Sequence, residues 1–249
     1  MIELKSPEEI QRMRAAGRIV GKMLAVLAHE VAPGIKTKEI DRRSRELIRE
    51  YGGEPAFLGY RGFPATICVS VNEEVVHGIP GERVIREGDI VSLDAGAKVD
   101  GYYGDAAITV AVGEIPAKVQ QLIATTKSAL EDGIAAATVR NRLSDISHSI
   151  QQRVERDGFG VVRDFVGHGI GKAIHEEPPI PNYGPPNRGP RLKTGMVLAI
   201  EPMVTLGGYD VEILDDGWTA VTKDRSLSAH FEHTIAITES GPEILTRLS

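Results

Sequence analysis

The sequence predicts a mixed α/β (α+β) fold in which two similar halves each contribute a pair of helices followed by strands. Three observations support this prediction. Helical periodicity covers residues 7–50, two-residue alternation replaces it over residues 67–112, and helical periodicity returns from residue 117. The length of 249 residues allows one large domain or two small ones.

The first helix is predicted to begin after Ser6. The segment Ser6-Pro7-Glu8-Glu9 combines an N-cap, a proline at the first helical position and a glutamate placed to close a capping box. Apolar residues then recur at helical spacing from Ile10 to Leu27, and Pro33-Gly34 ends the pattern.

A second helix follows, with Thr37 expected as its N-cap. Its apolar positions include Ile40 and Ile48, and Gly52-Gly53 ends it. The period then changes to that of strands, first around Val69 and then over residues 89–98 and 102–112. Because Asp100-Gly101 is a two-residue turn signal, these longer runs predict an antiparallel hairpin with Val99 facing Tyr102.

Two further helices are predicted near residues 117–132 and 144–157, so the order of elements repeats. Residues 40–52 match 146–158 at an offset of 106, and residues 88–94 match 195–201 at an offset of 107. The second match places Asp94 on Glu201. A duplication explains both offsets, with pseudo-repeats over roughly 7–112 and 116–239. The two halves of the protein would then enclose a cleft with acidic residues on both sides.

Composition narrows the class of protein. With 41% apolar residues and 29 basic against 35 acidic ones, the chain has a net charge of −6 and the profile of a soluble globular protein. No run approaches the about 18 apolar residues of a membrane helix, and the start lacks a signal peptide. Together with the single cysteine, this favours the cytoplasm. The mild acidity argues against a broad nucleic-acid-binding face.

The predicted hairpin brings two carboxylates together. Gly96 would lie opposite Asp105, which places Asp94 diagonal to Asp105 on the same face at about 7–8 Å between backbones. Two carboxylates in a partly buried site must share a proton or bind a cation. Alone, the pair would also suit proton transfer or glycoside hydrolysis.

Three further residues extend this set to five possible metal ligands. His168 lies between glycines, Glu201 ends a predicted strand, and Glu232 lies in His230-Phe231-Glu232-His233. Four carboxylates and one imidazole carry a charge of −4, which two divalent cations neutralise, as in a two-metal hydrolytic site. The ligand set suits Mn, Fe, Co or Zn without choosing among them. Each residue taken alone is more often a turn or surface residue.

Other catalytic motifs fit poorly. The segment 167–171 lacks dinucleotide-loop spacing, and Lys172 is not placed as in a phosphate loop. His175-Glu176 is not a zincin helix because Pro178-Pro179 blocks one. There is no Gly-x-Ser-x-Gly motif.

In order and spacing, this set of five strongly resembles the methionine aminopeptidases of peptidase family M24, in their type I bacterial form. The segments 72–80, 91–96, 167–171 and 201–203 carry the same resemblance, which spans nearly the whole chain. It implies a single catalytic domain over 1–249 with the pita-bread fold, whose two pseudosymmetric halves place antiparallel strands inside and helices outside. The metal ligands implied are Asp94, Asp105, His168, Glu201 and Glu232.

The reaction implied by the resemblance is removal of the initiator methionine when the second residue is small. A metal-bridging hydroxide would attack the scissile carbonyl, with Glu201 helping to activate it. His175 resembles the residue that steadies the tetrahedral intermediate, and His77 the one that contacts the substrate amide. Histidine suits both roles because it donates hydrogen bonds and moves protons near neutral pH. His230 stays undecided.

The methionine pocket should be apolar and closed. Position in the family pattern assigns six residues to it: Phe57, Tyr60, Phe63, Cys68, Ile174 and Trp218. Two depart from the pattern, since Phe63 stands where tyrosine is common and Ile174 where an aromatic residue is common. Residues 178–190 are expected to form a stiff surface loop near the mouth of the pocket.

The resemblance further implies a monovalent-cation site near Asn72 and Ser228. Expected partners are short peptides or the N-termini of nascent polypeptides, with ribosome contact left open, no nucleic-acid requirement, no membrane and a monomeric state. Two alternatives remain: a proline-directed enzyme of the same fold, such as aminopeptidase P or prolidase, and a non-catalytic pita-bread protein that binds a partner.

Overall fold

A computed structural model describes residues 2–247. Four helices carry most of the helical structure: α1 (Pro7–Glu30), α2 (Thr37–Glu50), α3 (Ala117–Ala136) and α4 (Leu143–Arg156). The predicted helices are therefore all present, with α3 extending four residues further than expected. None of the helices within residues 2–247 is both long and apolar enough to cross a bilayer.

Fifteen strands are described, most of them short. The first half contains β1 (Glu54–Pro55), β2 (Cys68–Val71), β3 (Glu74–Val76), β4 (Ile90–Val99) and β5 (Tyr102–Ala111). The second contains β6 (Gly160–Val161), β7 (Gly167–Gly169), β8 (Glu176–Ile180), β9 (Val197–Ile200), β10 (Met203–Thr205), β11 (Val211–Ile213), β12 (Ala220–Thr222), β13 (Ser228–His230), β14 (Glu232–Thr238) and β15 (Gly241–Ile244).

The first helix begins as the sequence predicts. Ser6 Oγ accepts a hydrogen bond from the backbone N–H of Glu9, and the Glu9 carboxylate accepts from the Ser6 N–H, which completes a capping box. Thr37, however, is not the N-cap of α2. Lys36 occupies that position, and Thr37 lies inside the helix with its hydroxyl bonded to the backbone of Gly81.

A nine-stranded antiparallel sheet forms the centre of the molecule. Its main order is β1-β4-β5-β14-β9-β7-β8, with β2 paired to β4 and β15 to β14. Strand β14 therefore lies between β5 of the first half and β9 of the second half, so that both halves share one sheet. The start of residues 178–190, expected as a loop, instead forms the end of edge strand β8.

Each helix pair covers its own part of this sheet. One apolar cluster joins α1 and α2 to the strands β2, β4 and β5, and another joins α3 and α4 to β9 and β14. Helices α2 and α4 both have 14 residues and begin 106 residues apart, at 37 and 143. The fold is the mixed α/β fold with strands inside and helices outside, and the duplication itself stays a prediction.

Candidate active site

The β4–β5 hairpin positions the two aspartates. Its register pairs Val99 with Tyr102 and Gly96 with Asp105, as the turn signal predicts. Asp94 therefore shares a face with Asp105, and both are at least nine-tenths buried, with 9% and 3% exposure. Thr234 of β14 fixes the edge of the hairpin, because its hydroxyl accepts from the Asp105 N–H at 3.0 Å and donates to the Asp105 carbonyl at 2.8 Å.

The neighbouring strands bring the other three predicted ligands to the same place. Glu232 begins β14 opposite Ala107 of β5, and Glu201 directly follows β9. One ligand atom each of Asp105, His168 and Glu232 lies within 4.8 Å of the others. His168 Nε2 is 3.5 Å from Glu201 Oε1. The sheet order thus brings together side chains that span 139 residues of sequence, from 94 to 232.

The orientation of His168 suits a metal ligand. Its Nδ1 lies 2.9 Å from the carbonyl oxygen of Gly169, to which Nδ1–H donates in the tautomer that this contact favours. Nε2 is then unprotonated and faces the carboxylates. Burial also lowers the pKa of His168, which keeps the ring neutral. An outer hydrogen bond of this kind is usual for metal-binding histidines.

The carboxylates are electrostatically strained without a cation. Asp94 Oδ1, Asp105 Oδ1 and Glu232 Oε1 are buried and have no hydrogen-bond partner. Burial, and then mutual repulsion, raises the pKa values of Asp94, Glu201 and Glu232 well above the usual range, and burial raises that of Asp105 to about 7. Orphaned oxygens of this kind fit divalent cations, which would neutralise the charge and supply the missing contacts.

A cavity of about 170 Å³ opens onto these carboxylates. A dry cavity of about 150 Å³ is sufficient for benzene, so this one has room for a methionine side chain. Its lining contains five of the six residues assigned to the methionine pocket: Phe57, Tyr60, Phe63, Cys68 and Trp218. Phe63 packs edge-on against Phe57 and Trp218, with ring centroids 6.5 and 5.2 Å apart.

Ile174 is the exception among the assigned pocket residues. Among the described residues it is not part of the cavity lining, although it is only 1% exposed. It is nonetheless close to a lining residue: a Cβ built on Gly96 would lie 3.0 Å from the Phe57 ring and 3.3 Å from Ile174 Cδ1. Its assignment to the pocket stays a prediction.

Two histidines line the cavity beside the predicted ligands. His175 Nδ1 is 2.9 Å from the Tyr60 hydroxyl, and its ring centroid is 4.3 Å from that of His168. Loss of ring solvation, together with the positive potential of neighbours, lowers the His175 pKa to about 3. His77 packs edge-on against Phe165 and Trp218, and burial lowers its pKa. Both rings are therefore neutral near pH 7 and available as hydrogen-bonding groups.

Sequence reasoning missed or left undecided three residues of the site. Arg61 lines the cavity with a left-handed φ of 49°, which no local pattern announces. His230, 1% exposed, places Nε2 3.7 Å from Glu201 Oε2. Asn182 Nδ2 donates to the Glu201 carbonyl at 3.0 Å. The position of His230 two residues before Glu232 was the only signal for any of them.

Asn72 and Ser228, assigned to a monovalent-cation site, are neighbours in the structure. The Ser228 N–H donates to the Asn72 carbonyl at 2.8 Å. The Asn72 side chain is already bonded to Asp89 and to the backbone of Ile90. The cation site stays a prediction.

Known metallopeptidases resemble the chain throughout its length. Residues 11–239 match the model of metallopeptidase family M24. The chain is 55% identical over 247 residues to a methionine aminopeptidase of Clostridium acetobutylicum, with 99% of each sequence covered. Its fold matches the crystal structure of the Thermotoga maritima methionine aminopeptidase with a TM-score of 0.98, 49% identity and full coverage of both chains. Prolidase from Pyrococcus furiosus matches with a TM-score of 0.81 and 25% identity, and the match covers 99% of this chain and 66% of the prolidase chain.

Proposed function

The chain belongs to the methionine aminopeptidases of metallopeptidase family M24, and we propose that it removes the initiator methionine from new polypeptides whose second residue is small. The observation that carries this proposal is a single cavity in which an aromatic pocket adjoins the buried carboxylates. The pocket would hold the methionine side chain, and the carboxylate end would hold the scissile bond.

Asp94, Asp105, His168, Glu201 and Glu232 would hold two divalent ions of the Co, Mn, Fe or Zn kind. When bound, such ions supply Lewis-acid chemistry that polarises a carbonyl and makes water more acidic. The excess of carboxylates over imidazole favours these ions over thiolate-preferring ones.

The residues of the chain supply binding and proton transfer. The Glu201 carboxylate takes a proton from the attacking water and returns it to the leaving amine. His175 donates a hydrogen bond to the oxygen on which negative charge develops, because its neutral ring keeps one N–H free when the Tyr60 hydroxyl donates to Nδ1. His77 contacts the substrate amide, and its neutral ring lies at the cavity wall.

Specificity follows from the shape of the cavity. Phe57, Phe63 and Trp218 enclose an apolar space, in which a charged first residue would lose its hydration without a partner. The second residue must pass the two histidines, where a large side chain has little room. We further propose that the substrates are nascent N-termini in the cytoplasm and that the enzyme acts as a monomer.

Metal reconstitution tests this proposal. Chelated protein should not cleave Met-Ala-Ser, and added Mn²⁺, Co²⁺ or Fe²⁺ should restore at least part of the activity. Full turnover by a rigorously metal-free sample would refute it. A parallel assay with Xaa-Pro peptides tests the proline-directed alternative, which cleavage of those peptides alone would support. Inactivity towards every peptide with every metal would favour a non-catalytic protein.

A further inference from the structure

A buried ion pair connects the N-terminal segment to the turn that carries His175. The side chain of Lys5, just before α1, is only 4% exposed, and its Nζ contacts the carboxylate of Glu176, whose side chain is 15% exposed. Lysine is almost never buried unless it is paired. The Lys5 N–H also donates to the Gly195 carbonyl at 2.7 Å, which fixes the segment against the second half.

The same carboxylate closes the turn before His175. Glu176 Oε1 accepts from the backbone N–H groups of Lys172 at 2.8 Å and Ala173 at 3.1 Å. One side chain therefore binds Lys5 through one oxygen and two backbone amides through the other. Charge-assisted bonds of this kind are roughly twice as strong as neutral ones, so the turn is held as a unit.

The space between this pair and Gly171 is filled. A Cβ built on Gly171 would lie 2.6 Å from Glu176 Oε1 and would overlap the Lys5 side chain. On the other side, the Tyr103 N–H of β5 donates to the Gly171 carbonyl at 2.9 Å. The turn thus lies between the N-terminal segment and the β4–β5 hairpin, and at Gly171 it has no room to shift towards Lys5 or Glu176.

We propose that Lys5, acting through Glu176, is a positioning residue for His175. Glu176 is the next residue in the chain, so the position of its backbone sets where the His175 ring meets the Tyr60 hydroxyl. This inference rests on the role proposed above for His175. A misplacement of about 1 Å caused by a change remote from the reacting atoms can lower the rate about 100-fold.

A double-mutant cycle tests the proposal. Lys5→Met should lower kcat on Met-Ala-Ser about tenfold, with KM and metal content near those of the wild type. Lys5→Arg should restore most of the activity. In a His175→Ala background, Lys5→Met should cause a further loss of less than about twofold, because residues that act as a unit are strongly non-additive.

Lys172→Met is the matched control. It removes a lysine from the same turn, but this side chain is 63% exposed and paired with Glu9 at 3.2 Å. Exposed pairs contribute little, so this variant should keep wild-type kcat. An equal loss for Lys5→Met in both backgrounds, or no loss in the wild-type background, would overturn the proposal.

A second variant and a structural measurement test the same proposal if Lys5→Met cannot be studied. If Lys5→Met does not fold, Glu176→Gln keeps an acceptor for the two amides while removing the charge, and should show the same pattern in the cycle. A crystal structure of either variant should show a lengthened Tyr60 Oη to His175 Nδ1 distance, which is 2.9 Å here; an unchanged distance counts against the proposal. Because this distance is measured without any assay of turnover, it tests the positioning role even if Met-Ala-Ser is not cleaved.

Discussion

At the residue scale, the role proposed for His175 differs from that of the predicted metal ligands, although its ring lies close to them. Its ring lies 4.3 Å from the His168 ring, between centroids, yet its Nδ1 is bonded to Tyr60. With a pKa of about 3, the ring stays neutral throughout the usual assay range. In the proposed mechanism it would act by donating a hydrogen bond, and no titration of His175 should be visible above about pH 5.

His175→Ala should lower kcat by about 10²–10³ because one donor to the developing oxyanion is lost. Metal content should stay near that of the wild type, since no ligand has been removed. Steady-state kinetics and elemental analysis of the same preparation provide the measurement. Loss of metal from this variant would mean that His175 has a different role.

Residue chemistry explains which parts of the site could be predicted from sequence. The proximity of Asp94 and Asp105 could be predicted because a local turn sets their register. The other three predicted ligands could be identified because the motifs that contain them are specific. Arg61 and Asn182 carried no signal, since their positions depend on contacts between segments far apart in the chain. The assignment of Ile174 to the pocket stays a prediction; its side chain lies near Gly96, which is also close to the Phe57 ring.

At the scale of elements, close backbone contact joins α1 to the β4–β5 hairpin. A Cβ on Gly104 of β5 would lie 2.6 Å from the backbone nitrogen of Gly17. Backbone cannot move aside as a flexible side chain can. The helix therefore packs directly on the strand that carries Asp105, and this contact needs glycine at position 104.

Gly104→Ala should lower the free energy of unfolding by about 1–3 kcal/mol, as overpacking of a filled core does. Gly81→Ala is the matched control, because a Cβ there would meet nothing closer than 4.0 Å. Denaturant unfolding of both variants provides the measurement. Equal stability of the two would show that α1 and β5 separate easily.

Elements were predictable where their signals are local. The capping box of α1 and the Asp100-Gly101 turn each involve residues within one turn of chain, and both are confirmed. Strand β8 was missed because Pro178-Pro179 reads as a loop breaker. Proline is tolerated there because β8 lies at the edge of the sheet and need not donate on its outer side.

At the scale of the whole molecule, the fold brings charges together that an isolated half would keep apart. Strand β14 pairs with β5 and β9, so acids of both halves meet in one buried cluster. Sequence alone could suggest this meeting through the repeat, but the strand order arises from long-range pairing. In the chelated protein, the repulsion among these buried carboxylates should therefore lower the stability of the folded state.

This destabilisation predicts a pH dependence for the chelated protein. The folded pKa of Asp105 is raised to about 7, above its value in the unfolded chain, so the folded state binds more protons near neutral pH. Stability must then fall as pH rises through this pKa. His175 and His230 have lowered pKa values and act in the opposite direction only below about pH 6.5.

The chelated protein should therefore lose Tm between about pH 6.5 and 8, and Asp105→Asn should flatten this slope because its amide does not titrate. Excess Mn²⁺ should abolish the loss by binding the ionised carboxylates of the folded state. Differential scanning calorimetry measures both effects. A Tm that rises over this range in chelated wild type would contradict the buried-charge account.

The most direct test of the central claim is a matched series of peptides, Met-X-Ser-Lys, assayed with the metal-loaded enzyme. An apolar pocket distinguishes one methylene by only about 1–3 kcal/mol, so norleucine should replace methionine while charged first residues should be refused. Cleavage should be efficient when X is Gly, Ala, Ser, Thr, Cys, Pro or Val, and poor when X is Lys, Arg, Glu, Phe or Leu. Comparable kcat/KM for Ala and Arg at X would contradict the account, and activity only with Pro at X would favour a proline-directed enzyme.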